Sequence, residues 1–246
     1  MNQITANLHE LWPRIERAGG GRNITLVAVS KTHPLATVIE AYRAGLRHFG
    51  ENRAPEGNDK AAGFADWLAN QPAAEPAGWH FIGHIQSRQA GQVLEGGYSL
   101  IHSVDSLKLA QRIDRLIGEH NLPPAAILLQ CNVSGEDTKS GFQLHRWQAD
   151  PAQLAAFLAE VEQAAALKNV TINGLMTMAP WFDDAELARP TFKSLARLQQ
   201  QLQSERPDIN WQHLSMGMTD DFEVALQEGA TIVRIGRAIF GERHYT

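Results

Sequence analysis

Two cationic residues lie in apolar segments that the sequence predicts to be strands. Lys31 follows the β-branched run from Ile24 to Val29, and Arg234 lies inside the run Thr231–Ile235. Burying a cation is costly unless another group pairs with it. If both side chains point into the same site, each disfavours the charge of the other, and the lysine is the one that loses its proton. A neutral amine is what a carbonyl compound needs to form a Schiff base.

Each of these residues also has a purely structural interpretation. A lysine at the end of a strand can extend its ammonium group to solvent. An arginine on the outer face of a strand can reach a surface carboxylate from beneath a helix. Both interpretations of Lys31 and Arg234 stay open until the other segments of the chain are considered.

Two glycine-containing turns form a second candidate site, one suited to an anion. The segment Leu214–Asp221 (LSMGMTDD) leads from a predicted strand into a helix, and Gly236-Arg237 follows the last predicted strand. In α/β barrels the loops after strands seven and eight, with the N-terminus of an extra helix, bind phosphate. Either glycine alone would also suit an ordinary turn. The candidate phosphate-binding groups are Ser215 Oγ and the backbone amides of Gly217, Gly236 and Arg237.

A phosphate site beside an amine that can form a Schiff base describes pyridoxal 5′-phosphate (PLP), an aldehyde that carries a phosphate. An aldolase that holds a sugar phosphate as a Schiff base shares these two features. Arg234 distinguishes the two, because an arginine can face the pyridine nitrogen of PLP and has no evident task in such an aldolase. The residues therefore favour PLP as the cofactor.

Eight apolar runs, most of them followed by a helical pattern, position these residues. The predicted strands are the run that Lys31 closes, followed by Leu46–Gly50, Trp79–Gly83, Leu100–Val104, Ala126–Val133, Val170–Met176, Gln212–Met216 and Thr231–Ile235. The predicted helices are Asn2–Ala18, Pro34–Arg43, about 51–70, Ser87–Leu94, one capped by Asp105 or Ser106, and then about 151–167, about 184–204 and 220–228. The pattern predicts an α/β fold, a single (β/α)8 TIM-type barrel with an extra N-terminal helix. An open doubly wound sheet is the alternative. With no linker in the sequence, residues 1–246 are expected to form one domain.

Composition and charge exclude several classes of function. A net charge of −5 over 246 residues gives no basic field for nucleic acid or an anionic membrane. Cys131 is the only cysteine, which excludes an internal disulfide and fits a reducing cytoplasm. We expect neither a targeting segment nor a membrane span, since no run approaches the ~18 apolar residues that a span needs. His80 and His84 are separated by a strand end and a turn, so we expect no metal site.

A series of long motifs, in order along the chain, matches a known family. The motifs are AVSKTHP (28–34), FGEN (49–52), WHFIGHIQS (79–87), IHSVDSLKLA (101–110), CNVSGEDTKSGF (131–142), GLMTMAP (174–180), LSMGMTDDFEVAL (214–226) and VRIGRAIFG (233–241). On these motifs the sequence resembles the YggS/PROSC family, the PLP homeostasis proteins, along nearly its whole length. The resemblance implies a single PLP-binding barrel similar to the N-terminal domain of alanine racemase, with Lys31 as the Schiff-base lysine. It also implies phosphate contacts at Ser215 and the Gly236-Arg237 turn, Arg234 at the pyridine nitrogen, and Asn52 in the cofactor pocket.

The sequence departs from the family pattern in two places. After Asn52 the family continues with a sequence similar to YVQE, whereas this chain has RAPE at 53–56. After Gln86-Ser87 the family has Asn-Lys, whereas this chain has Arg88-Gln89. These changes argue against a role for a second lysine near the mouth of the barrel. They do not alter the expected cofactor site.

The residues also bear on whether the protein is a catalyst. An arginine at the pyridine nitrogen weakens the ring as an electron sink, which leaves racemisation as the reaction to consider. Racemisation needs acid/base groups on both faces of the substrate carbon. Lys31 can serve one face, but Tyr42, Tyr98 and Tyr245 are poorly placed for the other. In the racemases that the family resembles, a further C-terminal domain supplies that tyrosine, and this sequence ends ten residues after Gly236.

We therefore predict a protein that binds, buffers and hands over PLP in the cytoplasm, with no catalytic residue and no metal. The expected partners are PLP and apo PLP-dependent enzymes, and the chain is expected to be a monomer or a weak dimer. A PLP-dependent amino-acid racemase of low activity is the alternative.

Overall fold

The computed structural model describes residues 2–72 and 74–242, and these form a closed barrel of eight parallel strands. The strands are β1 (Thr25–Val29), β2 (His48–Glu51), β3 (Gly78–Phe81), β4 (Leu100–Val104), β5 (Ala125–Asn132), β7 (Val170–Met176), β8 (His213–Ser215) and β9 (Ile232–Ile235). Strand β1 pairs with β2 on one side and with β9 on the other, and a β4–β5 pairing closes the ring. The predicted barrel is confirmed, and the open doubly wound sheet is excluded.

The remaining strand, β6 (Phe142–Gln143), adds to the end of β5 outside the ring and was not predicted. The helices are α1 (Gln3–Gly19), α2 (Leu35–Arg43), α3 (Ala54–Ala69), α4 (Ala90–Glu95), α5 (Leu107–His120), α6 (Pro151–Ala165), α7 (Arg189–Glu205), α8 (Phe222–Gln227) and α9 (Arg237–Phe240). Short 3-10 turns, Ser87–Gln89 and Ala185–Ala188, lead into α4 and α7. Of the described helices, none is long and apolar enough to cross a bilayer.

The helices expected from about residue 51 and from residue 220 begin later than the sequence pattern suggested. The helix expected from about residue 51 begins at Ala54, because Glu51 is still paired with Phe81 of β3 as the last residue of β2. Pro55 then occupies the first turn, where its missing N–H costs nothing. The helix expected from residue 220 begins at Phe222.

Helix α1 completes the outer layer of the barrel. The last helix, α9, has only four residues, and α1 packs against both α8 and α9. The stripe Ile4, Leu8, Leu11 and Ile15 is buried on this face. The amide of Asn7 donates to the carbonyl of Ile239 (2.8 Å), which ties the two helices together. The expected extra N-terminal helix therefore covers the surface that the short α9 leaves open.

The interior of the barrel contains an apolar layer and, around it, a set of polar side chains. The apolar residues are Val27, Leu100, Leu128, Met176 and Ile232, all buried. The larger core lies between the strands and the surrounding helices. Because side chains alternate along each strand, the fold presents a second, inward-facing set of residues at the C-terminal ends of the strands. The candidate site lies at this end.

Candidate cofactor site

Lys31 lies in a tight turn at the C-terminal end of β1. The amide of Ser30 still donates to the carbonyl of Gly50 in β2 (3.1 Å), and the amide of His33 donates to the carbonyl of Ser30 (3.1 Å). Between them Thr32 has a φ of 70°, in the left-handed region that β-branched residues rarely adopt. The turn therefore needs support from outside its own backbone.

That support comes from helix α3, through Lys60 and Glu56. The ammonium of Lys60 donates to the carbonyl of Ser30 (2.7 Å) and to a carboxylate oxygen of Glu51 (2.7 Å), and it lies 2.8 Å from a carboxylate oxygen of Glu56. Glu56 also accepts a hydrogen bond from the amide of Thr32. This cluster holds the residues on either side of the candidate lysine.

The guanidinium of Arg234 points into the barrel. The residue is only 4% exposed, and it donates to Ser215 Oγ (2.5 Å) and to the carbonyl of Thr177 (3.1 Å). Burial lowers its pKa to about 10, an effect that Asp221 opposes, so the group is still a cation at neutral pH. The interpretation that Arg234 lies beneath a helix and pairs with a surface carboxylate does not hold. This leaves a fixed positive charge beside the mouth of the barrel.

A cavity of about 400 Å³ at the C-terminal end of the strands brings most of the candidate residues together. Its size is typical of small-molecule sites. The sequence-predicted residues in its wall are Lys31, Asn52, Arg234, Gly236 and Arg237. Residues that sequence reasoning did not assign to the site also line it, among them Ile82, Gly83, His84, Thr219 and Asp220.

Ser215 and Gly217 lie behind this cavity. Ser215 is fully buried, and its hydroxyl is bonded to Arg234 and to Nδ1 of His102 (2.8 Å). Gly217 has a φ of 94°, and a Cβ there would lie 2.6 Å from a side chain of α8, so the position requires glycine. Two residues further on, Thr219 is the hydroxyl of this loop that lines the cavity. The sequence signal for Thr219 was its place in the LSMGMTDD segment.

An ion pair joins the two loops that the sequence suggested for phosphate. Nη2 of Arg237 lies 2.5 and 2.6 Å from the two carboxylate oxygens of Asp220. Both side chains are about half exposed, and both residues line the cavity. An anion that enters the cavity therefore competes with Asp220 for the guanidinium of Arg237.

The site combines an amine at a strand end, a buried cation and a rim that carries backbone amides, a hydroxyl and a second cation. This set can capture an aldehyde covalently while it holds a phosphate and the far side of an aromatic ring. Within residues 2–72 and 74–242, no cluster of three or more His, Cys, Asp or Glu side chains is arranged to hold a metal ion.

The fold and this site define the class of barrels related to the N-terminal domain of alanine racemase, and the model of that domain family matches residues 2–244. Relatives named pyridoxal phosphate homeostasis protein are 41% identical in Vibrio cholerae and 39% identical in Escherichia coli K12, and each alignment covers 100% of this chain and 99% of the relative. The chain belongs to the pyridoxal phosphate homeostasis protein family. The resemblance drawn from the motifs is confirmed.

Solved structures agree with this assignment. PipY of Synechococcus elongatus PCC7942, in the structure described as having PLP bound, is 36% identical and superposes with a TM-score of 0.78, covering 97% of this chain and all of that one. Its structure without PLP superposes with a TM-score of 0.81. The alanine racemase of Clostridium difficile 630 is 13% identical, with a TM-score of 0.69 over 98% of this chain and 59% of that one, so it shares the fold alone.

Proposed function

We propose that this protein binds PLP through a Schiff base on Lys31 and serves intracellular PLP homeostasis, as a store and donor of the cofactor. The covalent step joins Nζ of Lys31 to the aldehyde carbon and releases one water. The single observation that carries the proposal is the cavity in which Lys31, the buried Arg234 and the Gly236-Arg237 turn meet. The proposed unit is one barrel domain spanning residues 1–246.

The other residues of the cavity have distinct proposed tasks. Arg234 faces the pyridine nitrogen, since it is the buried cation in the wall. The Gly236-Arg237 turn and Thr219 bind the phosphate, and Asn52 lines the pocket beside the ring. Ser215, which the sequence suggested as a direct phosphate contact, is instead proposed to act through Arg234, because its hydroxyl is already bonded to that guanidinium. Gly217 shapes the loop that presents Thr219.

The tyrosines favour a carrier over a catalyst. The hydroxyl of Tyr42 donates to the carbonyl of Glu75 (2.7 Å), and that of Tyr98 donates to Oδ1 of Asn58 (3.1 Å). Neither of these tyrosines lines the cavity. Tyr245 lies outside the described residues. The part of the chain that the structure describes thus offers no tyrosine as a second acid/base group for racemisation.

A weak amino-acid racemase is the second candidate, and His84 is the observation that favours it. This histidine lines the same cavity as Lys31, and its Nδ1 lies 3.5 Å from a carboxylate oxygen of Asp105. An imidazole in this place can exchange a proton with the substrate carbon on the face opposite to Lys31. The carrier role is preferred because His84 is largely exposed to solvent, where proton exchange with water competes.

The proposed setting follows from the carrier role. The recipients are apo PLP-dependent enzymes, the site of action is the cytoplasm, and the chain acts as a monomer or a weak dimer. The buried Cys131, whose thiol pKa is raised by burial, fits a protein that needs no disulfide.

The test is a transfer experiment with a racemase assay alongside. Protein loaded with PLP is incubated with an apo PLP-dependent enzyme, and the recovered activity of that enzyme is followed over time. We expect transfer without measurable interconversion of L- and D-alanine, and no transfer from Lys31→Ala. Turnover of alanine that His84→Ala abolishes would instead support the racemase.

A further inference from the structure

Three histidines on neighbouring strands form a hydrogen-bonded chain inside the barrel. Nδ1 of His48 lies 3.0 Å from Nε2 of His80, and Nδ1 of His80 lies 2.9 Å from Nε2 of His102. Nδ1 of His102 lies 2.8 Å from Ser215 Oγ, which in turn accepts from Arg234 (2.5 Å). One continuous chain therefore runs from the first residue of β2 to the guanidinium beside the cavity.

The histidines of this chain are neutral. Burial lowers the pKa of His80 to about 3, with His48 and His213 adding to the effect. Burial also lowers the pKa of His102 well below 6.5, and the charge of Arg234 acts in the same direction. Burial lowers the pKa of His48 as well. A neutral imidazole has one donor and one acceptor nitrogen, so each ring donates one hydrogen bond and accepts one.

Arg234 fixes the direction of the chain. A guanidinium only donates, so Ser215 Oγ must accept from it. The hydroxyl proton of the fully buried Ser215 then goes to Nδ1 of His102, the other side-chain group bonded to it. Nε2–H of His102 donates to Nδ1 of His80, and Nε2–H of His80 donates to Nδ1 of His48. All three imidazoles are thereby set as the Nε2–H tautomer.

We propose that Ser215, His102, His80 and His48 are positioning residues, a one-directional hydrogen-bond relay that fixes the guanidinium of Arg234. The acceptor end of each group in the relay faces Arg234, which favours its positive charge. Because Arg234 also donates to the carbonyl of Thr177 (3.1 Å), the relay leaves the guanidinium one orientation. The relay thus connects Arg234, and through it the ring of the cofactor, to the half-buried His48 at the N-terminal end of β2. The assignment rests on the proposed function, in which Arg234 faces the pyridine nitrogen.

The first test uses the full chain without PLP. Nitrogen-15 NMR of the imidazoles at pH 7 reports which ring nitrogen carries the proton. We expect His48, His80 and His102 all to be neutral and protonated on Nε2. A proton on Nδ1 of His80 or His102, or a charged ring at either position, would overturn the relay. This measurement is independent of whether the protein binds PLP.

The second test measures what the relay does for the cofactor. His80→Phe keeps a planar aromatic ring and removes both nitrogens, so His102 Nε2–H loses its acceptor. We expect the visible absorption band of the PLP-loaded protein to shift and PLP binding to weaken about two- to tenfold, the effect of one buried hydrogen bond. An unchanged band at saturating PLP, with unchanged affinity, would overturn the proposal.

The control is His213→Phe. His213 lies on β8 and is also half-buried; it adds to the lowered pKa of His80, but its side chain makes no hydrogen bond to the described residues and so is not part of the relay. We expect its band and affinity to match those of the unmodified protein. If circular dichroism shows that His80→Phe does not fold, His48→Phe is used instead, because it breaks the relay at its half-buried end. We expect the same shift of the visible band, and an unchanged band with unchanged affinity would again overturn the proposal. If the unmodified protein itself binds no PLP, the proposed function fails while the NMR result still decides the relay.

Discussion

Lys60 and Glu51 form a buried ion pair, with 2.7 Å between ammonium and carboxylate, directly behind the turn that carries Lys31. The side chains of Lys60 and Glu51 are 8% and 0% exposed. Burial raises the pKa of Glu51, and the hydrogen bond and charge of Lys60 oppose that shift. Because the same ammonium also holds the carbonyl of Ser30, the stability of the pair and the geometry of the lysine turn are linked.

Removing Lys60 should therefore both destabilise the protein and weaken PLP binding. Lys60→Met leaves the Glu51 carboxylate buried without its partner, and the loss of one partner of a buried pair costs about 3–5 kcal/mol. The free energy of unfolding from a urea titration and the Kd for PLP check the two effects. The matched control is Arg115→Met, which breaks the exposed pair with Glu119; we expect it to change both quantities little. A Lys60→Met protein as stable as the control would contradict this account.

Arg234→Leu should loosen the cofactor and shift its absorption band. The variant removes a cation that makes charge-assisted hydrogen bonds, each worth about 1.5–3 kcal/mol, so we expect PLP to bind about ten- to hundredfold more weakly. Arg234→Lys keeps the charge but loses the planar guanidinium, so its affinity for PLP should lie between that of the unmodified protein and that of Arg234→Leu. Equilibrium titration with PLP and the visible spectrum are the measurements. If Arg234→Leu left the band unchanged, Arg234 would not face the ring.

Substitution of the two hydroxyl residues in and after β8 should have different effects on the binding of PLP and of pyridoxal. Thr219 lines the cavity, whereas Ser215 lies behind it. Thr219→Val should weaken the binding of PLP several-fold and leave the binding of pyridoxal, which has no phosphate, unchanged. Ser215→Ala should affect both ligands alike, because it acts through Arg234. The opposite pattern would restore Ser215 as the direct phosphate contact.

The buried histidines should make the fold sensitive to mild acid. Because the folded state holds the pKa of His80 near 3 and that of His102 well below 6.5, the unfolded chain binds more protons below pH 6.5. Stability contributed by the neutral rings is thus present above pH 6.5 and is lost as the pH falls toward 3. Each of the two groups should lower the free energy of unfolding by about 1.4 kcal/mol per pH unit.

Urea titrations at pH 6.0 and 5.0 measure this slope before most carboxylates titrate. His80→Phe should reduce the slope by about 1.4 kcal/mol per pH unit. His120, exposed at the end of α5, provides the control as His120→Gln, with the slope retained. A slope that His80→Phe does not change would mean that the ring is not held neutral.

The sequence predicted the barrel, and it singled out five of the residues that line the candidate site, for identifiable physical reasons. Lys31 and Arg234 each stand out as the cation of an apolar run, and the C-terminal ends of parallel strands meet at one edge. Even the short β8 was predicted, as Gln212–Met216, although only His213–Ser215 is paired in the structure. Strand and helix positions follow from periodicity, which is a local property of the chain.

What could not be predicted depends on contacts between segments that lie far apart in the chain. Ser215 is fully buried and bonded to the guanidinium of Arg234, so Thr219, two residues beyond Gly217, is the hydroxyl residue that lines the cavity. The relay joins His102 to Ser215, which are 113 residues apart in the chain, and only the closed barrel brings them together. The buried pair of Lys60 and Glu51 likewise depends on how α3 packs behind β1 and β2.

The most direct test of the Schiff base on Lys31 is to identify the residue to which PLP is covalently bound. The protein is loaded with PLP, reduced with borohydride and digested, and the modified peptide is identified by mass spectrometry. We expect one pyridoxyl group on Lys31 and none in Lys31→Ala. Labelling of a different lysine, or an unchanged visible band in Lys31→Ala, would contradict a Schiff base on Lys31.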